Sequence, residues 1–132
     1  MIKSLIRKLV PEPVIKVYHW VLSYLAAWVY RNPSKDLIVI GVTGTHGKTT
    51  TCEWIGQILE HAGESVGWAT TNSFKIGAKK WVNDKKITML GRFQLQKMLR
   101  EMVSQGIKYA VIETSSQGID LRDRLHCCKD VF

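Results

Sequence analysis

Cysteine and proline each occur only three times in this chain, and acidic residues number 11 against 19 basic ones. Cys52, Cys127 and Cys128 form neither an even set nor a spaced framework, and the adjacent pair is poorly placed to bridge itself. That argues against a disulfide-stapled scaffold and fits a reducing cytosol. His126-Cys127-Cys128 lacks the second ligand pair that a zinc site needs. The longest apolar run, Val14 to Tyr30, is broken by Lys16, His19 and Ser23 and sits at the bottom of the length range for a bilayer span, so no spanning helix is expected. Low-complexity tracts and internal repeats are missing too, which sets disordered and solenoid classes aside.

What remains is an ordinary globular composition, 45% apolar and 23% charged over 132 residues, about one domain in length. The formal charge of +8 suits an anionic partner. Lys and Arg are dispersed and no nucleic-acid module pattern is present, so nucleic acid is not the expected one.

Residues 1–36 differ from the rest. Lys3, Arg7, Lys8, Lys16, Arg31 and Lys35 against Glu12 and Asp36 give six minus two, or +4, half of the net charge. A Pro11-Glu12-Pro13 break precedes the apolar run, which carries Tyr18, Trp20, Tyr24, Trp28 and Tyr30. Residues 1–30 thus read either as a helix lying in a membrane interface or as a helix packed on its own domain. A secretory signal is a third reading, with a weak cleavage site.

After an Asn32-Pro33-Ser34 linker, Leu37 to Val42 reads as a buried strand of a parallel sheet. Thr49 to Ala62 places Cys52, Ile55, Ile58, Leu59 and Ala62 at helical spacing, and Gly63 stops the helix. Ser65 to Thr70 is a second strand. Phe74 to Thr88 suggests a hairpin turning at Asn83-Asp84 and standing off the sheet. A helix from about Arg92 to Gln105 follows, with Leu95, Met98, Leu99, Met102 and Val103 on one face and Lys97 paired with Glu101 outside, and then a third buried strand, Tyr109 to Glu113. The order belongs to an α/β fold: a mostly parallel sheet with helices on both faces, three layers in all, preceded by an N-terminal helix.

Gly41-Val-Thr-Gly-Thr-His-Gly-Lys-Thr-Thr50 falls where the first strand turns into the first sheet-flanking helix, the context a phosphate-binding loop requires. Gly44 and Gly47 permit torsions that aim successive amide N–H groups at phosphate oxygens. Thr45, His46 and Thr50 complete the cradle, and the helix N-terminus adds its positive dipole end. Lys48 is placed to neutralise β- and γ-phosphates, and the Thr49 hydroxyl to hold Mg²⁺. The strict pattern wants glycine at position 42, where this chain has Val42.

Thr43-Gly-Thr-His-Gly-Lys-Thr-Thr-Thr51 closely resembles the ATP-binding loop of the Mur ligases. In that family His or Asn commonly fills the place of His46, which reads as a loop-shaping residue rather than a base. Ile112-Glu113-Thr114-Ser115-Ser116-Gln117-Gly118, at the end of the third strand, is similar to the Glu-x-Ser-Ser-His-Gly segment of the muramyl-tripeptide synthetase (MurE-type) branch. By that resemblance Glu113 would coordinate Mg²⁺, with Ser115 and Ser116 near the nucleotide-sugar substrate. Gln117 replaces the branch's histidine. Arg124 is the counterpart chosen for a substrate-binding arginine, with Arg122 the alternative. Ile87 to Arg92 occupies the place of the Asn-Thr-Thr-Pro substrate loop, and only Thr88 matches it.

The resemblance covers about residues 37–132 and divides the chain into a basic helical segment, 1–36, and an ATP-binding domain, 37–132. It implies a cytoplasmic ATP-dependent ligase, Mg²⁺-assisted, that joins an amino acid to a UDP-muramyl peptide in peptidoglycan synthesis through an acyl phosphate. Lys48 and Glu113 would be its catalytic residues here. The family's carbamylated lysine and later metal ligands have no counterpart, so the expectation is a partial ligase, able at most to bind nucleotide by itself. Competing expectations are a folylpolyglutamate synthetase-like ligase, which usually has Gly-Lys-Gly-Ser where this chain has Gly47-Lys48-Thr49-Thr50, a plain P-loop ATPase or kinase, and a membrane-peripheral nucleotide-binding module on the inner membrane face.

Overall fold

The computed structural model describes residues 11–84 and 90–115. The first helix, α1 (Glu12–Val29), opens with proline in its first turn, where a missing N–H costs nothing. Arg31 and Asn32 then take positive φ values of 60° and 49° and reverse the chain into a 3-10 turn, Pro33–Lys35. Strand β1 (Ile38–Val42), helix α2 (Lys48–His61), strands β2 (Val66–Ala69), β3 (Ser73–Ile76) and β4 (Lys79–Val82), helix α3 (Arg92–Ser104) and strand β5 (Tyr109–Glu113) follow. They make one five-stranded sheet in the order β1-β5-β2-β3-β4. Strand β5 runs parallel to both β1 and β2, while β3 and β4 extend the sheet antiparallel.

Alternation along the strands sends side chains to two separate cores. Val39, Ala69, Ala110 and Ile112 face Leu95, Met98, Leu99 and Met102 of α3. Val66, Trp68 and Val111 face Cys52, Ile55 and Leu59 of α2. The sheet is therefore the middle of three layers, as the element order predicts. Helix α1 lies on α3, and small residues, Ser23, Ala26 and Ala27, are buried on it. Its opposite side exposes Val17, Tyr18, Trp20, Tyr24, Leu25 and Trp28. No helix among the described residues is long and apolar enough to cross a membrane.

Three local expectations need correction. The hairpin turns at Gly77-Ala78, between paired Ile76 and Lys79, not at Asn83-Asp84, and it is part of the sheet instead of standing off it. Gly77 has the positive φ, 57°, that so tight a turn demands, whereas Asn83 is buried and donates from Nδ2 to the Thr70 carbonyl at 3.1 Å. On α2, Cys52, Ile55 and Leu59 pack inward as the spacing predicts, but Ile58 is 66% exposed and Ala62 is exposed, and Gly56 is buried where the Trp68 indole fills the space over it. On α3 the ion pair runs from Arg100 to Asp36 at 3.6 Å, tying the helix to the 3-10 turn; none between Lys97 and Glu101 is found.

Candidate active site

Parallel strands β1, β5 and β2 end side by side. Val42 is in register with Glu113, and Ala69 with Ile112, so the loops leaving β1 and β2 flank the residue that closes β5. Strand β1 feeds α2, whose chain continues to β2, and β5 inserts between the two. Such an edge, where connections diverge from neighbouring strands, is where open α/β sheets leave a crevice for ligands.

The loop from Thr43 to Gly47 links β1 to α2. Gly44 has φ 151° and Gly47 φ 77°, both in the region that side-chain-bearing residues resist. Gly47 is the N-cap of α2, and its carbonyl accepts from Thr51 N and from Thr51 Oγ1, each at 2.9 Å. Thr45, His46 and Thr50 are exposed, while Lys48 and Thr49 in the first turn are half-buried. Val42, the departure from the strict glycine pattern, is still in β1 and packs against the Trp68 core; glycine there would forfeit that contact.

Two sequence motifs meet in one contact. The Thr49 hydroxyl lies 3.0 Å from both Oε1 and Oε2 of Glu113, and can donate to either. Glu113 is 3% exposed, so its carboxylate depends on protein donors. Thr71, which no motif includes, supplies two more: its main-chain N–H donates to Oε2 at 2.7 Å and its hydroxyl to the same oxygen at 3.0 Å. Thr114 anchors the strand end, donating from N and Oγ1 to the Val42 carbonyl at 2.9 and 3.1 Å. One turn into α2, the Cys52 thiol is pushed up to about 12 by burial first, then by the negative charges of Glu113 and Glu53.

A hydroxyl and a carboxylate form an all-oxygen donor set of the kind hard cations such as Mg²⁺ prefer. No group of three or more His, Cys, Asp or Glu among the described residues could hold a metal unaided. A cation here would need oxygens from a partner such as a phosphate, the usual arrangement for Mg²⁺. Of the other residues singled out from sequence, Ser115 follows Glu113 and is half-buried. Thr88, Ser116 and Arg124 lie outside the described residues, as do Arg122, Gln117 and the His126 to Cys128 cluster. A separate cavity of about 380 Å³, lined by Phe74, Trp81, Asn83, Leu90 and Met98 among others, sits between the hairpin and α3 and shares no residue with the loop.

Residues 42–130 match the model of the Mur ligase middle domain. The chain belongs to the Mur ligase family. A UDP-N-acetylmuramyl-tripeptide synthetase of Roseiflexus sp. (strain RS-1) is 38% identical over 115 residues, covering 86% of this chain and 23% of the relative. A UDP-N-acetylmuramoyl-L-alanyl-D-glutamate--2,6-diaminopimelate ligase of Bacillus cereus is 36% identical over 119 residues, covering 90% and 24%. A solved structure of a ligase bearing that same diaminopimelate name superposes with a TM-score of 0.60 at 32% identity, over 70% of this chain and 18% of that one. This Mur ligase chain thus spans about a quarter or less of the length of these relatives, and the part it spans holds the loop and the Glu113 strand.

Proposed function

We propose that the chain is the nucleotide-binding portion of an ATP-dependent carboxylate–amine ligase, which adds an amino acid to a UDP-muramyl peptide in peptidoglycan synthesis. The observation that carries this is the 3.0 Å contact between Thr49, at the start of the loop's helix, and buried Glu113, at the end of the adjacent parallel strand. Loop amides and Lys48 would cradle the β- and γ-phosphates, and Thr49 with Glu113 would hold Mg²⁺. When bound, the ion supplies neutralisation of phosphate charge. The carboxylate of the acceptor attacks the γ-phosphorus, ADP leaves, the amine displaces phosphate from the acyl phosphate, and an amide results. This chain's own part is positional and electrostatic. Ser115 and Ser116, with Thr88 and Arg124, are the residues we assign to the acceptor.

Mg-ATP should protect the chain against thermal unfolding by an amount that grows with ligand, about 2.7 kcal/mol at a hundredfold excess over Kd. Lys48→Ala should remove that protection. Equal protection in the variant would overturn the assignment.

We also divide the chain at residue 36 and place it in the cytoplasm, with α1 resting on the inner membrane face. Support for the membrane contact comes from the exposed tryptophans and tyrosines of α1 and from exposed Arg31 and Lys35 at its end, which suit anionic lipid headgroups. Sedimentation with phosphatidylglycerol-containing vesicles should be lost on changing Trp20 and Trp28 to Ser. A chain that stays in the supernatant, as a monomer or a dimer, would refute it.

A further inference from the structure

Thr71 opens the connection between β2 and β3, and its two donors both reach Glu113 Oε2. A carboxylate offers about two acceptor positions on each oxygen. Oε2 therefore has both positions taken by Thr71 alone. Among the described residues, Oε1 has only the Thr49 hydroxyl, and that single proton is shared with Oε2 at equal distance. A Thr49 hydroxyl that gives a lone pair to a cation can still donate its proton to Oε1, and Oε1 then keeps its second position open, whereas Oε2 has none.

This asymmetry has to be imposed from outside Glu113. The last torsion of a glutamate is broad and roughly two-fold, so rotamer preference does not choose which oxygen points where. Burial removes the water that could otherwise satisfy Oε2. The short connection holding Thr71 is itself tied down. Thr70 N donates to the Ser73 carbonyl at 2.9 Å, Thr70 Oγ1 donates to the same carbonyl at 3.0 Å, and Asn83 Nδ2 donates to the Thr70 carbonyl at 3.1 Å. The main-chain N–H of Thr71 is thereby aimed at the carboxylate independently of its side chain.

We propose that Thr71 is a positioning residue: it clamps Glu113 Oε2 and so presents Oε1 to the divalent cation that accompanies a nucleotide. The inference rests on the nucleotide-binding reading above and deepens it. Thr71→Val keeps the side-chain shape and the main-chain donor and removes only the hydroxyl. Thr71→Ser restores the hydroxyl on a smaller side chain.

The test is ATP binding to the full chain by calorimetry, at a series of Mg²⁺ concentrations and in EDTA, with urea midpoints measured alongside. In Thr71→Val the Mg²⁺ concentration that half-saturates the enhancement of ATP binding should rise roughly three- to tenfold, the size of one ordinary hydrogen bond, because the main-chain donor of Thr71 still holds Oε2. Binding in EDTA should stay at the wild-type level, since Lys48 and the loop amides are untouched, and Thr71→Ser should return to near wild type. An unchanged Mg²⁺ requirement in Thr71→Val, or an equal fall in EDTA, would overturn the positioning role while leaving nucleotide binding intact. Wild-type chain that bound no ATP under any condition would instead remove the reading on which the role depends, and the role with it.

Discussion

Gly56→Ala sets two effects of opposite sign against each other, and the structure decides between them. Alanine in a helix interior is favoured over glycine by about 0.8–1.0 kcal/mol, so propensity alone makes the variant more stable. Gly56, however, is buried in the middle of α2, directly over the Trp68 ring. A Cβ there would stand 2.4 Å from Cε3 and 2.7 Å from Cζ3 of the indole, against roughly 3.5–4.0 Å for a relaxed carbon contact. About 1 Å must open between helix and sheet. The ring cannot swing aside cheaply: Trp68 Nε1 donates to Ser73 Oγ at 3.1 Å, Ser73 Oγ donates to Glu53 Oε1 at 2.8 Å, and the Lys75 ammonium lies 4.7 Å from the ring centroid. Overpacking of this kind costs about 1–3 kcal/mol, and a clash with a pinned ring belongs in the upper part of that range. The net expectation is a destabilisation of about 1–2 kcal/mol, or roughly 3–8 °C in Tm for a domain of this size. Urea unfolding followed by tryptophan fluorescence should show a lower midpoint at unchanged slope. In a Trp68→Leu background the same substitution should become neutral or stabilising. A raised midpoint for Gly56→Ala in the otherwise wild-type chain would refute the reasoning.

Cys52 is wholly buried and its thiol is held up to about 12 from an ordinary 9.0, so it should resist alkylation at pH 8 until the chain unfolds; labelling in a chain with Cys127 and Cys128 changed to Ser checks this. The linkage has a definite sign: between about pH 9 and 12 the unfolded thiol has lost its proton and the folded one has not, so this group's effect is a loss of stability as pH rises through that window. Cys52→Ser should reduce that slope in urea midpoints taken across it. Leu99 is 1% exposed in the core between α3 and the sheet, and Leu99→Ala should cost about 2–5 kcal/mol by calorimetry.

Reading the chain worked best where the signal is local. The change from a continuously apolar strand to a helix near Thr49 and the glycines of the intervening loop are properties of neighbouring residues, and the buried run ending at Glu113 is just as local. Pairing of Thr49 with Glu113 was accessible only because the two motifs resemble one family's. Thr71 carries no such mark: its role comes from topology, which sets β2 beside β5, and a threonine after a strand is otherwise unremarkable. Helical spacing identified α2 and placed Cys52, Ile55 and Leu59 inward, but it also gave Ile58 a core position, whereas the buried position goes to Gly56 and the bulk is supplied from the strand by Trp68. Composition misled at the hairpin, where Asn83-Asp84 has the stronger turn chemistry but Asn83 spends its amide on a tertiary bond to Thr70. For α1, counting apolar residues located a helix and could not tell that alanine and serine face inward while tryptophan faces out.

Strand β5 lies between β1 and β2, yet the ribosome delivers it after both. A nascent chain arrested before residue 109 would have β2 paired only with β3 and β1 with no strand beside it, since the place between them, roughly 10 Å from axis to axis in the finished sheet, belongs to β5. The loop we assign to phosphate, finished in sequence by residue 50, would have no carboxylate beside Thr49 until residue 113 had emerged. Birth order therefore makes the Thr49–Glu113 contact and completion of the sheet the same event, and slow non-local pairing the step that both await.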